Sequence, residues 1–212
     1  CPLLGDRHLI CFESGEKPSL YVFSPNDYWL ENEIDLSSFI SDSFQIHLIR
    51  SQKERESVFK GKNKWVYLGN NKVLAEKNNL TVNPKSFLSA LDWARGVKSP
   101  YEVACIDQAN YRASRAHQKA REIFSLGGSE FSINQAYLSS LEETPDKLPY
   151  ENIVALNEKS AILHYQHKRG VKDGQVLLID AGAKHAGYCS DITRTYIKED
   201  GCHKVFLSLL QS

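Results

Sequence analysis

The chain has 212 residues, 42% of them hydrophobic and 25% charged, which is typical of one large folded domain or two small ones. Its 26 basic and 26 acidic residues balance, which argues against a protein that binds nucleic acid through a basic surface. No uninterrupted apolar stretch is long enough to span a membrane, so we expect no membrane partner either.

Short strands and helices alternate in the first hundred residues. Residues 8–12 and 20–23 are apolar and β-prone, and the turn between them predicts a hairpin. Residues 44–49 alternate with a period of two, and residues 64–69 form a further strand candidate. A helix is predicted from Asn83-Pro84 to about Arg95.

Two helices follow this region. Ser99, Pro100 and Glu102 have the spacing of a capping box, and the helix that they begin should run to about Phe124. A second helix should begin near Ser129 and end near Leu141. We place a domain boundary between these helices and the preceding part, giving domains 1–96 and 97–212.

Four strands are predicted after residue 150, and together they indicate an antiparallel sheet. They cover residues 152–156, 161–165, 175–180 and 188–196. The Gly-rich stretch 181–187 would join the last two as a hairpin.

Two aspartates mark this sheet as a candidate site. Asp180 ends an apolar strand, and Asp191 lies eleven residues further along the chain. In a hairpin the two carboxylates could meet on one face, where they would repel each other unless a cation lay between them. Hard oxygen ligands suit Mn, Mg or Co. The structural alternative is that Asp180 caps a turn and that Asp191 pairs with Arg194 or faces solvent.

His164 lies in a mostly apolar predicted strand and has two interpretations. It could face the carboxylate pair and donate a hydrogen bond to a substrate carbonyl or an oxyanion. Alternatively, it is a core histidine satisfied by a main-chain carbonyl. Tyr150 and Leu163 are likewise either pocket walls or core residues.

The five cysteines are scattered, and no two form a CxxC pair. Their odd number and spacing argue against a disulfide framework or a zinc ribbon and favour reduced thiols in the cytoplasm. The chain starts with Cys and contains no Met, so we expect it to begin inside a longer one.

Several segments resemble bacterial prolidases, which are Xaa-Pro dipeptidases of the pita-bread metallopeptidase class. The resemblance covers nearly the whole chain and is strongest in residues 149–158, 161–165, 178–183 and 187–196. It implies an α/β (α+β) fold. A partial creatinase/prolidase-like N-terminal domain would occupy residues 1–96, and the first half of a pita-bread catalytic domain would occupy residues 97–212.

The same resemblance implies a dinuclear centre with two divalent metal ions per subunit, manganese in the complete enzyme. Asp180 would bind one metal, and Asp191 would bridge both. A metal-bridging hydroxide would then hydrolyse an Xaa-Pro dipeptide. The remaining roles implied are catalytic contact with substrate for His164, pocket positions for Tyr150 and Leu163, and contact with the partner subunit's pocket in a homodimer for Trp29.

The resemblance also implies three further metal ligands, a His and two Glu, from later strands. The sequence ends at Ser212, so we expect an incomplete chain that would be inactive by itself. Two other functions remain open. One is an aminopeptidase P-type activity on longer peptides, and the other is a non-catalytic pita-bread interaction protein.

Overall fold

A computed structural model describes residues 7–25, 39–62, 64–198 and 208 of the chain. The structure has mixed α/β character and falls into two compact units, Cys1–Val97 and Lys98–Ser212. Among the described residues, no helix combines the length and the apolar character that a membrane crossing requires.

The first unit contains small sheets and short helices. The elements are β1 (Leu9–Cys11), β2 (Ser19–Phe23), α1 (Phe39–Ser43), β3 (Gln45–Ile49), α2 (Gln52–Ser57), β4 (Val66–Tyr67), α3 (Lys72–Lys77), β5 (Thr81–Val82) and α4 (Lys85–Gly96). β1 and β2 form the predicted antiparallel hairpin, β3 lies parallel to β2, and β4 pairs with β5 in a separate two-stranded parallel sheet.

The second unit opens with the two predicted helices, α5 (Pro100–Ser125) and α6 (Glu130–Leu141). The predicted capping box of α5 is confirmed, since the Ser99 hydroxyl accepts from the Glu102 N–H and the Glu102 carboxylate accepts from the Ser99 N–H. Ser129 caps α6 in the same manner, by accepting from the Ser132 N–H. These caps satisfy main-chain donors that the first helical turn leaves unpaired.

The helices pack on a three-stranded antiparallel sheet. The strands of this unit are β6 (Ile153–Leu156), β7 (Val176–Ala181), β8 (Lys184–His185), β9 (Tyr188–Cys189) and β10 (Ile192–Ile197), and the sheet has the order β10-β7-β6. Alternate residues of β7, namely Leu177, Ile179 and Ala181, are buried in the core that includes α5 and α6. Side chains alternate across a strand, so Leu178 and Asp180 lie on the opposite face.

The predicted strand over residues 161–165 is wrong. A 3-10 helix, Asn157–Ala161, follows β6 directly and leads the chain away from the sheet. The Asn157 side chain stabilises this exit, because its oxygen accepts from the N–H groups of Gln175 and Val176 at the start of β7. Ile162 and Leu163 are consequently exposed, and although they are apolar they do not belong to the sheet.

The predicted strand over residues 188–196 is two strands. β9 pairs with β8 in a small hairpin, whereas β10 pairs with β7. Ser190 and Asp191 separate them, and the Ser190 N–H donates to the Ala183 carbonyl at 2.9 Å. This contact returns the chain from the hairpin to the main sheet.

Candidate metal centre

The carboxylates of Asp180 and Asp191 lie close together on the face of the sheet that is opposite α5 and α6. The Tyr150 hydroxyl oxygen is 2.8 Å from Oδ1 of Asp180 and 2.8 Å from Oδ1 of Asp191. The two carboxylate oxygens are therefore separated by no more than twice that distance. Tyr150 reaches this position because it lies three residues before the start of β6.

The sheet register explains the pairing of the aspartates. Asp180 lies opposite Thr193, and Ala181 lies opposite Ile192. Asp191 comes two residues before Thr193, so it is a diagonal neighbour of Asp180 on the same face. An eleven-residue spacing produces this result because the β8–β9 hairpin takes up the intervening residues.

Gly182 permits the close approach of the segment that carries Asp191. A Cβ atom at this position would lie 2.2 Å from the Ser190 carbonyl oxygen, 2.8 Å from Pro149 Cγ and 3.0 Å from Tyr150 Cε1. The first of these neighbours is main chain, which cannot rotate away. Only glycine therefore fits at residue 182 without a clash with the main chain of Ser190.

Ser190 fixes the position of the residue that follows it, Asp191. Its hydroxyl is buried, and it accepts a hydrogen bond from the Ala183 N–H at 2.9 Å.

The turn of the β8–β9 hairpin has positive φ at both of its residues, Ala186 (49°) and Gly187 (84°), as in a type I′ turn. At the start of β9, the Tyr188 hydroxyl donates to Glu102 at 2.8 Å and ties the hairpin to α5.

Tyr150 carries the proton that the two carboxylates share. Burial and the hydrogen bonds to Asp191 and Asp180 raise the pKa of its phenol, so the group is protonated at neutral pH. A phenol has one proton and can donate to only one carboxylate at a time. One phenol thus serves two closely spaced carboxylates, and such carboxylates repel each other unless a cation lies between them.

These donors fit a divalent cation. Two adjacent carboxylates that lack a compensating charge are the chemical setting that a bound cation stabilises, and their oxygens are hard ligands. Among the described residues, no group of three or more His, Cys, Asp and Glu side chains is placed to hold a metal. Within that part of the chain, the aspartate pair is the candidate for holding a metal ion.

Of the other predicted site residues, the structure brings Tyr150 into contact with this pair. His164 is exposed in a turn, so the core-histidine alternative is wrong, and it lines a cavity of about 680 Å³. Tyr150 lines a second cavity of about 540 Å³, and Gln166 and Lys168 border both cavities. Leu163 is 82% exposed, and Trp29 lies outside the described residues.

Two family models match the chain. Residues 104–206 match metallopeptidase family M24, and residues 4–93 match the Xaa-Pro dipeptidase N-terminal domain. The Xaa-Pro dipeptidase of Shewanella denitrificans is 39% identical over 201 residues, which are 93% of this chain and 46% of the relative. Residues 104–206 belong to metallopeptidase family M24.

A second relative agrees with this M24 assignment, and two solved structures share the fold. The Xaa-Pro dipeptidase of Actinobacillus pleuropneumoniae is 38% identical over 85% of this chain and 42% of its own length. The Xaa-Pro dipeptidase from Bacillus anthracis superposes with a TM-score of 0.70 at 16% identity, covering 97% of this chain and 58% of that one. The X-Pro aminopeptidase from Thermotoga maritima superposes with a TM-score of 0.67 at 19% identity, covering 94% of this chain and 58% of that one. These likenesses show the pita-bread fold, and the M24 chain spans about half the length of its curated relatives.

Sequence reasoning missed a buried ion pair in the M24 unit. Glu130 is fully buried, and its carboxylate accepts from the Arg169 guanidinium at 2.9 Å, from the Leu156 N–H at 3.0 Å and from the Tyr165 hydroxyl at 2.9 Å. Ser129 and Glu130 were visible only as a helix start, because a pattern along the chain does not reveal a partner thirty-nine residues away.

Proposed function

We propose that the protein hydrolyses Xaa-Pro dipeptides in a metal-dependent reaction. The observation that carries this proposal is the contact of the Asp180 and Asp191 carboxylates with one phenol. The names of the two curated relatives supply the substrate class, since both are Xaa-Pro dipeptidases. Membership of a metallopeptidase family supports the need for divalent metal.

Asp180 and Asp191 would hold the metal. We propose that these two residues together would hold two divalent ions and that manganese is the natural metal, as the resemblance to prolidases implies; hard carboxylate oxygens are suitable ligands for it. Bound divalent ions would supply Lewis acidity toward the scissile carbonyl and make a water molecule acidic at neutral pH.

The chain's own residues would bind and orient the peptide. We propose that Tyr150 holds the two carboxylates together through its phenol proton and forms part of the pocket wall with Leu163. His164, which is exposed on a turn, would donate a hydrogen bond to the substrate as a catalytic residue. Trp29 would contribute to the partner subunit's pocket in a homodimer.

The domain assignment and the cellular location form part of the same proposal. Residues 1–96 would form an N-terminal domain and residues 97–212 the first half of the catalytic domain. We propose a cytoplasmic enzyme, which is supported by the free thiols of Cys11, Cys105 and Cys189.

The test is hydrolysis of Gly-Pro by the purified full-length protein, which would include the later strands, with and without Mn²⁺. We expect activity that is lost on chelation and restored by the metal, and that falls by at least about 100-fold in Asp191→Asn. Asp107→Asn, an exposed aspartate on α5, is the matched control and should retain full activity.

Two results would contradict the proposal. Absence of activity with any divalent metal would favour a non-catalytic interaction protein. Preference for Gly-Pro-Gly over Gly-Pro would indicate an aminopeptidase P-type activity.

A further inference from the structure

His117 is a buried polar residue in an otherwise small and apolar stripe of α5. It is 3% exposed and lies among Ala113, Ala116 and Ala120, each of which is fully buried. Its ring packs edge-to-face on Tyr137, with the ring centroids 5.3 Å apart. A buried imidazole in such surroundings requires a hydrogen-bond partner.

The contact made by His117 determines its protonation. Nε2 lies 3.1 Å from the Ala181 carbonyl oxygen, and a carbonyl can only accept, so Nε2 carries the proton. Nδ1 is buried with no hydrogen-bond partner among the described residues. Burial lowers the pKa of the imidazole, and this effect outweighs the opposing hydrogen bond to Ala181. The ring is therefore a neutral donor.

The Ala181 carbonyl that His117 contacts belongs to a pair of facing residues, here called the rung, that lies between the two aspartates in the sheet. Ala181 pairs with Ile192, and each of these residues directly follows one of the aspartates, Asp180 or Asp191. Beyond this rung the strands separate into the β8–β9 hairpin. The rung is thus the last point at which the main sheet fixes the spacing of the two carboxylates.

We propose that His117 is a positioning residue for the metal centre. From the opposite face of the sheet, His117 anchors the Ala181 carbonyl and thereby fixes the distance between Asp180 and Asp191. This inference rests on the proposed function in one respect, that the aspartate pair binds metal. His117 touches neither carboxylate in this arrangement; it holds the main chain that carries them.

The experiment compares three variants of the purified protein by titrating the metal-free form with Mn²⁺ in a calorimeter. His117→Phe keeps a flat ring but removes the donor, and we expect the dissociation constant to rise by about 10- to 100-fold. His117→Gln retains an N–H donor and should recover most of the affinity. Phe124→Leu, a core change on the same helix, should lower the unfolding temperature but leave the dissociation constant within about twofold.

The outcomes separate this inference from the proposed function. If the wild-type protein binds no Mn²⁺, both are overturned. If it binds Mn²⁺ and His117→Phe matches Phe124→Leu, or His117→Gln is as weak as His117→Phe, the positioning role alone is wrong.

A second measurement needs no variant and covers the case in which His117→Phe does not fold. ¹⁵N NMR of the histidine side chains in the wild-type protein should show His117 as the neutral Nε2–H tautomer. An Nδ1–H tautomer or an imidazolium at neutral pH would contradict the anchoring contact.

Discussion

At the scale of single residues, the candidate centre depends on a few atoms whose positions are strongly constrained. Tyr150 is the common neighbour of Asp180 and Asp191, and Gly182 admits the chain segment that brings Asp191 to this place. The two aspartates could be predicted from the sequence, because a carboxylate at the end of an apolar strand is unusual. The space requirement at Gly182 could not, since it arises from residues before and after it in the chain.

Replacing Tyr150 by Phe should destabilise the metal-free protein more than the metal-bound one. The change removes a hydrogen bond to a charged group, and we expect the free energy of unfolding to fall by about 2 kcal/mol without metal. With Mn²⁺ the loss should shrink, because the cation then neutralises the carboxylates. Urea unfolding with and without Mn²⁺ measures both values. Tyr137→Phe is the control, since its buried hydroxyl has no partner among the described residues; equal losses in the two metal states would contradict this prediction.

Replacing Gly182 by Ala should disrupt the site, because the new methyl group would overlap the Ser190 carbonyl oxygen. We expect a loss of stability of about 3 kcal/mol and weaker binding of Mn²⁺. Thermal unfolding and metal titration check the two effects. Gly170→Ala is the matched control, since a Cβ atom there would meet nothing within 4 Å. A Gly182→Ala protein with unchanged stability and affinity would show that the close approach is not required.

At the scale of elements, the sequence predicted the helices more accurately than it predicted the strands. The caps at Ser99 and Ser129 are local signals, and the structure confirms the helices that they begin. Residues 161–165 looked like a strand because they are apolar, yet the Asn157 turn takes them out of the sheet. What decides their place is a hydrogen bond between distant parts of the chain, which composition does not encode.

The Glu130–Arg169 pair links α6 to the segment that follows this turn, and it should be a major source of stability. Removing one partner of a buried ion pair leaves the other charge uncompensated, so Glu130→Gln should cost about 3 kcal/mol or more. Urea unfolding at pH 7 measures this. Glu158→Gln is the control: Glu158 is 3.9 Å from the same arginine with 67% of its side chain exposed, and its loss should stay within about 0.5 kcal/mol. Equal losses in the two variants would contradict the assignment.

The same pair predicts a pH dependence. Burial by itself would raise the pKa of Glu130, but hydrogen bonds from Arg169, the Leu156 N–H and Tyr165 outweigh it, and the pKa is lowered. A carboxyl whose pKa is lower in the folded state stabilises the fold above its unfolded pKa, about 4.3, and this contribution is lost as the pH falls through the folded value. The stability difference between wild type and Glu130→Gln should therefore shrink below about pH 4. A difference that does not change with pH would contradict this.

At the scale of the whole molecule, the family assignment and the fold class agree with the resemblance seen in the sequence. The resemblance predicted the family and the fold class because the segments around Asp180 and Asp191 are distinctive, whereas the roles of the site residues stay predictions. The contacts that hold those segments, from Ser190 to Ala183 and from His117 to Ala181, required coordinates. They connect residues that no spacing rule relates.

Crystals of the purified protein soaked in Mn²⁺ would show whether Asp180 and Asp191 bind a shared divalent-metal centre. We predict anomalous-scattering peaks within coordination distance of both carboxylates, with Asp191 contacting more than one of them. Crystals of Asp191→Asn should lose these peaks. Strong manganese peaks elsewhere and none between the two aspartates would contradict the account.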